Sequence, residues 1–126
     1  MRYAILMYAD PAYTVAMPRE ELEQVGRKHE ALRAQLTGSG ELRGGEGLVL
    51  PADTTVVRLR DNSTGSRVES RVESRAGPLT AEREQLTAWY VVECADAERA
   101  RQIAEHILDT HVTAVEVRAI HDSVTL

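Results

Sequence analysis

Aromatic residues and cysteine are scarce in this sequence of 126 residues. Aromatic side chains make up only 4% of the chain and phenylalanine is absent, so the core must consist mainly of Val, Leu, Ile and Ala. The one cysteine, Cys94, cannot form a disulfide within the chain, which is typical of a reducing compartment. Hydrophobic residues nevertheless reach 43%, enough for the core of one domain over residues 1–126.

Positive charge and long apolar segments are also lacking. The net charge is -5 and the isoelectric point is near 5.4, whereas direct binding to nucleic acid needs clustered Lys and Arg. No apolar run approaches the roughly 20 residues of a membrane helix. The first apolar run ends at Asp10 and Pro11, too early for a signal peptide. We therefore expect a soluble cytoplasmic protein with no nucleic-acid or membrane partner.

The first third of the chain is predicted to form a strand and a helix. Tyr3–Tyr8 is apolar on both faces, as expected of a central strand, and Asp10-Pro11 begins a loop that lasts to Pro18. Apolar side chains then recur at three- and four-residue spacing, which predicts a helix from Pro18 with Gly38 as the left-handed residue after its last turn. The apolar stripe of this helix contains Leu22, Val25, His29, Leu32 and Leu36.

Further strands and a second helix are predicted for the rest of the chain. Four segments have the composition of strands, namely Glu41–Leu50, Thr54–Arg60, Thr87–Ala95 and Val112–Ile120. The tandem repeat Arg67–Ser74 places its Val and Ser residues on one face and its charges on the other, which predicts another strand after a hairpin loop at Asp61–Gly65. Asp96 is a suitable N-cap for the second helix, whose apolar stripe includes Ile103 and Ile107.

This order of elements predicts an α+β fold, a ferredoxin-like antiparallel sheet with two helices on one face. Two helices cover only one face of such a sheet, so one apolar set of the fifth strand, either Trp89 and Val91 or Tyr90 and Val92, would stay exposed on the other face. A monomer rarely exposes that much apolar surface. We therefore expect a homodimer in which the two sheets pack together as a dimeric α+β barrel.

Several segments resemble the signature of the YCII-related family, in particular the subgroup named for an Asp-Gly-Pro-Phe (DGPF) turn. The segments are Arg2–Tyr8, His29–Leu32, Gly44–Leu48, Thr54–Arg58, Arg75–Leu79, Glu84–Leu86, Ala88–Cys94 and Val115–Arg118. Their order and spacing carry the resemblance, which covers nearly the whole chain. It implies a single YCII-related domain, a dimeric α+β barrel, and a cleft between the sheet and the first helix.

The resemblance also implies a chemistry and a partner. Some relatives are thought to perform lyase-like reactions on small, often aromatic compounds, with a His of the first helix and the Asp of the turn as the working pair. His29 matches that His, but Ala76 stands where the family has the Asp. Leu79 replaces the Phe, and Thr87-Ala88 replaces a Gly-Gly pair, which should narrow the cleft. Genes of the subgroup often lie beside genes for alternative sigma factors, so a sigma factor is a candidate partner.

His29 is the candidate catalytic residue, as a general base that titrates near neutral pH. The alternative is a buried neutral core histidine, since His29 lies on an apolar stripe. Ala76 cannot orient the imidazole, so another carboxylate must do so, and we favour Asp10 over Glu46 and Glu84.

Three residues are candidates for ligand binding, namely Tyr8, Arg75 and Tyr90. The two tyrosines would line the cleft, and Arg75 or Tyr8 would stabilise a developing oxyanion. No metal or other cofactor is expected, because the remaining histidines are predicted to lie on a helix, in a loop and at the chain end, and a single cysteine completes no ligand set.

Two functions from different classes remain open. The first is a non-catalytic dimer that binds a small molecule or a sigma factor, its active site retired by the loss of the turn Asp. The second is a lyase-type enzyme acting on a small, aromatic substrate with His29 as general base. A carboxylate within reach of the His29 ring, beside a cavity, is the condition for keeping the enzyme hypothesis, because fold alone cannot decide it.

Overall fold

The computed structural model describes residues 1–64 and 67–121, and only the backbone of 61–64 and 67–70. The strands are β1 (Arg2–Ala9), β2 (Leu42–Gly47), β3 (Thr55–Thr64), β4 (Arg67–Ala76), β5 (Gln85–Glu93) and β6 (Val112–Ala119). The helices are α1 (Pro11–Ala16), α2 (Arg19–Gly38) and α3 (Ala97–Ile107), with a short 3-10 turn at Pro51–Asp53.

Four of the strands form one antiparallel sheet in the order β2-β5-β1-β6, and β3 pairs with β4 as a separate two-stranded sheet. In the large sheet, Ile5 of β1 lies opposite Tyr90 of β5 and Val117 of β6. The predicted α+β, ferredoxin-like antiparallel sheet is confirmed, with β1 at the centre as expected. None of the helices within the described ranges is both long and apolar enough to cross a bilayer.

The core lies between one face of the large sheet and the helices α2 and α3. Alternate residues of β1 point into it, and Ile5 and Met7 are essentially inaccessible to solvent. The helices contribute Leu36 and Ile103, each about 1% exposed. Complete burial of a side chain of this size contributes about 1.5–3 kcal/mol. These contacts therefore fix α2 against the sheet, and α2 carries the residues of the candidate site.

The cap of α3 agrees with the prediction. The Asp96 carboxylate accepts a hydrogen bond from the backbone N–H of Arg99 at 2.9 Å. The guanidinium of Arg99 in turn donates to both carboxylate oxygens of Glu41, at 2.8 Å each. This pair joins the start of α3 to the connection between α2 and β2.

Three expectations about local structure were wrong. The segment after Asp10 is not all loop, because Asp10 caps the short helix α1 through the N–H of Ala12 and Pro11 occupies its first turn. Gly38 belongs to α2, and the left-handed residue is Gly40, with φ of 77°. The predicted hairpin loop at 61–65 starts too early, since β3 continues to Thr64; position 65 lies outside the described residues.

The β3–β4 hairpin confirms that the tandem repeat forms a strand. Leu59 of β3 lies opposite Val72 of β4, and the pair shares a face with Val57. These three side chains are 63%, 73% and 66% exposed. On the other face Arg60 donates to Glu73 at 3.0 Å. The hairpin therefore leaves an apolar surface without packing partners in the described part of this chain.

The second face of the large sheet is also only partly covered. Directly opposed pairs place Leu6 with Trp89 and Ala4 with Val91 on this face. All four side chains are half-buried, in contrast to their neighbours on the helix face. We call this surface the open face.

Candidate functional site

A cleft of about 530 Å³ lies between α2, the large sheet and the segment that leads into the 3-10 turn. Its floor is apolar and includes Met7, Ala9 and Val112, which are almost fully buried. Thr87 and Ala88 also line it, so the side chains that replace the family's glycines do face this space. The size lies within the range of small-molecule sites in proteins.

His29 lies on the wall of this cleft and faces a carboxylate. Its Nε2 is 3.5 Å from Oδ2 of Asp109, and the two side chains are 20% and 14% exposed. That distance exceeds a well-formed hydrogen bond, and Nε2 has no other hydrogen-bond partner in the described structure. The carboxylate beside His29 is Asp109. Asp10, the residue favoured from the sequence, caps α1 instead.

Asp109 is held rigidly by the turn between α3 and β6. Its Oδ1 accepts the backbone N–H groups of His111 and Val112, at 2.7 and 2.6 Å. Lys28 of α2 reaches the same turn and donates to the Leu108 carbonyl at 2.8 Å, with Oδ2 of Asp109 at 3.4 Å. Burial raises the pKa of Asp109, but the two backbone N–H groups and the Lys28 ammonium outweigh it and lower the pKa overall. Asp109 is therefore ionised at neutral pH.

The imidazole of His29 is neutral at the same pH. Burial lowers its pKa, and the positive charge of Lys28 acts in the same direction. Asp109 opposes this shift but does not cancel it, so the pKa stays below the usual value. A neutral imidazole beside an ionised carboxylate has a free ring nitrogen to accept a proton, and the carboxylate stabilises the imidazolium that results.

His111 joins the same group. One ring nitrogen from each histidine and one oxygen of Asp109 lie within 4.8 Å of one another. Nδ1 of His111 is buried and has no hydrogen-bond partner among the described residues. Two imidazoles and a carboxylate are a donor set that zinc accepts. Here Oδ1 of Asp109 is occupied by backbone N–H groups, and the Lys28 ammonium next to Oδ2 repels a cation. The arrangement favours proton transfer over metal binding.

Arg33 and Tyr90 form the second polar group of the cleft. The guanidinium carbon of Arg33 lies 5.5 Å from the centroid of the Tyr90 ring, a cation–π contact. Tyr90 is 4% exposed, and burial raises the pKa of its phenol. Strand β2 approaches Tyr90 closely at Gly45, which has φ of 150°. A Cβ at this position would lie 2.5 Å from Tyr90 Cδ1 and even closer to the Trp89 carbonyl oxygen.

The other predicted site residues lie elsewhere. Asp10 caps α1, with Oδ2 3.9 Å from Arg83. Tyr8 donates a short hydrogen bond to Glu116, and this bond raises the pKa of Tyr8. Its ring borders a separate cavity of about 390 Å³. Arg75 donates to the carbonyl of Leu79 at 3.2 Å and so stabilises the turn that contains both residues. Of the five predicted residues, His29 and Tyr90 line the cleft of about 530 Å³.

Asp109, His111 and Arg33 are the site residues that the sequence pattern did not indicate. Arg33 follows His29 by one helical turn and therefore lies on the same side of α2. Asp109 is recognisable as a turn-forming residue between a helix and a strand, and His111 follows it by two positions. The proximity of Asp109 and His111 to His29 depends on how α3 packs against α2. The spacing of residues along the sequence does not show this packing.

The fold and the cleft define an α+β protein with a histidine–carboxylate pair at the wall of an apolar pocket. The model of the YCII-related domain matches residues 1–123, so the chain belongs to the YCII-related family. The chain is also similar to an uncharacterized protein of Rhizobium meliloti (strain 1021). The two are 29% identical over 122 residues, which cover 95% of this chain and 92% of the relative.

Proposed function

We propose that the protein binds a small molecule in the cleft, with the ligand in contact with His29. The observation that carries this proposal is the position of His29, which lines an apolar cleft of about 530 Å³ and has its Nε2 3.5 Å from Oδ2 of Asp109. Sites of this kind combine an apolar lining with a few polar groups, among them groups of shifted pKa.

Ligand binding to the native state raises the melting temperature, so a thermal-shift screen of metabolites tests the proposal. The screen is run on the wild type, on His29→Ala and on His106→Ala, which changes an exposed histidine of α3. We expect hits whose stabilisation is lost in His29→Ala and kept in His106→Ala. Hits that stabilise all three proteins equally, or a screen without hits, would count against the cleft as a binding site.

Lyase-type catalysis is the second candidate function, and Asp109 is the observation that favours it. The loss of the turn Asp at Ala76 suggested a retired active site, but Asp109 supplies a carboxylate to His29 from another element. In such a reaction His29 takes a proton from carbon, the C–H electron pair forms the new double bond, and the leaving group departs with its own bonding pair. Asp109 stabilises the imidazolium.

Turnover separates the two functions. Ligands from the thermal screen are incubated with the protein and analysed by mass spectrometry. Loss of a small leaving group, abolished in His29→Ala and reduced at least tenfold in Asp109→Asn, would establish the lyase. Recovery of unchanged ligand would leave the binding function alone.

We also propose a homodimer built on the open face. Leu6, Trp89 and Val91 are half-buried there, and the β3–β4 hairpin exposes a second apolar surface. A second copy covering both would remove this area from water. Light scattering is expected to give twice the chain mass for the wild type and the single mass for Leu6→Glu. A monomeric wild type would refute the dimer.

Within the family, the Arg75–Leu79 turn supports assignment to the DGPF subgroup. The turn keeps the Gly-Pro pair, and Gly77 adopts φ of 99°, which glycine accommodates. Ala76 and Leu79 depart from the subgroup's pattern. The sigma-factor partner and the cytoplasmic location remain predictions.

A further inference from the structure

In the described part of the chain, not every cation around the cleft has a carboxylate partner. Lys28 and Asp109 form one ion pair next to His29, and both residues border a neighbouring cavity. Arg33 lines the cleft and has no carboxylate partner among the described residues. Glu46 borders the cleft, but it lies opposite Trp89 in the sheet and therefore belongs to the open face. Among the described residues, the side chains that line the cleft thus include one cation without a carboxylate partner and two imidazoles.

Arg33 is exposed to solvent, but one contact orients its guanidinium before any ligand binds. Its guanidinium packs over the ring of Tyr90, whose own position is fixed by burial in the core and by the close passage of Gly45. A planar guanidinium offers two parallel N–H donors to a carboxylate, and prior ordering reduces the entropy lost on binding. A carboxylate fits this geometry.

Most of the remaining lining is apolar. Leu22, Leu48 and Leu86 surround the mouth, and all three are more than a third exposed in this chain. An apolar ligand body would cover them. His29 and Arg33 are four residues apart on α2, so their Cβ atoms are separated by roughly 5–6 Å. Both residues line the cleft, so a ligand held by its carboxylate at Arg33 shares this space with the His29 ring.

We propose that the ligand is a small carboxylic acid with an apolar body, bound through its carboxylate to Arg33 in the cleft that His29 also lines. This inference rests on the proposed function of the cleft and names its ligand class. Arg33 is the specificity-determining residue, and His29 contacts the part of the ligand that would react.

Matched acids and amides test the inference. Cyclohexanecarboxylate, hexanoate and 3-phenylpropanoate are compared with their primary amides, which have nearly the same shape but no charge. Binding is measured by titration of the ¹⁵N-labelled protein and followed through amide resonances of α2 and β5. The proteins are the wild type, Arg33→Gln, Arg33→Lys and the control Arg27→Gln, which changes an exposed arginine of the same helix.

The acids are expected to bind the wild type about ten- to a hundredfold more tightly than the amides, the usual effect of a charge-assisted hydrogen bond. Arg33→Gln should remove this preference, Arg33→Lys should retain part of it, and Arg27→Gln should leave it unchanged. Spectra recorded without ligand show whether each variant keeps the fold. If Arg33→Gln does not fold, the preference of Arg33→Lys for acids over amides tests the inference.

Two negative results differ in meaning. Acids and amides that bind equally well in the cleft, in wild type and Arg33→Gln alike, would overturn the carboxylate inference and leave the cleft as a binding site. Titrations in which no probe shifts the resonances of the cleft would overturn both the inference and the proposed function.

Discussion

Nε2 of His29 lies 3.5 Å from Oδ2 of Asp109, although His29 belongs to α2 and Asp109 follows α3, far along the sequence. The Asp109 turn is locked by two backbone N–H groups and by Lys28, whose ammonium donates to the carbonyls of Ile107 and Leu108. Lys28 precedes His29 in α2, so the residue that anchors the turn also sets its distance from the imidazole. The pair is therefore positioned by hydrogen bonds to backbone groups of the turn.

Replacing Asp109 tests this pairing. Asp109→Asn is expected to lower the pKa of His29 further, because the carboxylate is the group that favours the imidazolium. Asn retains an oxygen for the N–H groups of His111 and Val112, so we expect a loss of only about 1–2 kcal/mol in the free energy of unfolding. The titration is followed by NMR of the ring protons. Asp10→Asn is the control and should leave the titration unchanged; a response to Asp10 instead of Asp109 would contradict the pairing.

The stability of the protein should depend on pH through His29. Burial lowers the pKa of His29 in the folded state below its usual value of 6.5, so the unfolded chain takes up a proton first as the pH falls. The resulting contribution to stability is fully present above pH 6.5 and decreases as the pH falls through 6.5 towards the folded-state pKa. Urea unfolding across this range measures it.

His29→Gln should remove that pH-dependent part, because Gln does not titrate. The control is His106→Gln, which changes an exposed residue near the end of α3. If the wild type and His29→Gln gave parallel curves of unfolding free energy against pH, the shift assigned to His29 would be wrong.

Glu41 should stabilise the fold through Arg99. The two hydrogen bonds from the Arg99 guanidinium, with one from Ser39, lower the pKa of Glu41 to about 2. Its contribution is present above the usual pKa of 4.5 and is lost as the pH falls towards 2. Glu41→Gln is expected to cost about 1–3 kcal/mol at neutral pH and progressively less in acid, as measured by denaturant unfolding. Glu105→Gln, in an exposed pair with Arg101, should have little effect at any pH.

Gly45 should be intolerant of a side chain. An added Cβ would meet the Trp89 carbonyl and Tyr90 Cδ1, and the positive φ is itself unfavourable for alanine. Gly45→Ala is expected to destabilise the protein by about 2–4 kcal/mol. Gly47→Ala, in the same strand with no atom near its Cβ, is the matched control. Equal melting temperatures for the two variants would show that β2 does not pass over Tyr90 as described.

Local signals in the sequence were enough to predict most of the fold. The stripe of α3 and its Asp96 cap, the central position of β1 and the strand formed by the tandem repeat are all confirmed. Helix α1 was missed because it has only six residues and no buried side chain, so no apolar periodicity marks it. The end of α2 was misplaced because Gly38 and Gly40 are both plausible terminators.

The candidate site was predictable only in part. His29 and Tyr90 lie on elements whose buried faces could be predicted from the spacing of apolar residues. Asp109 could not be preferred over Asp10, since both follow a regular element and form turns. What distinguishes them is the packing of α3 against the sheet and the reach of Lys28, which are tertiary contacts. Arg33 was passed over because a charged residue on a helix is ordinarily solvated.

The most direct test of the account is to locate the binding site of the first ligand found by thermal shift, using amide shifts of the ¹⁵N-labelled protein. The account predicts that the perturbed amides cluster around His29, Arg33, Tyr90 and His111, and that His29→Ala weakens the interaction. Perturbations confined to the β3–β4 hairpin or the open face, with the cleft unaffected, would contradict it.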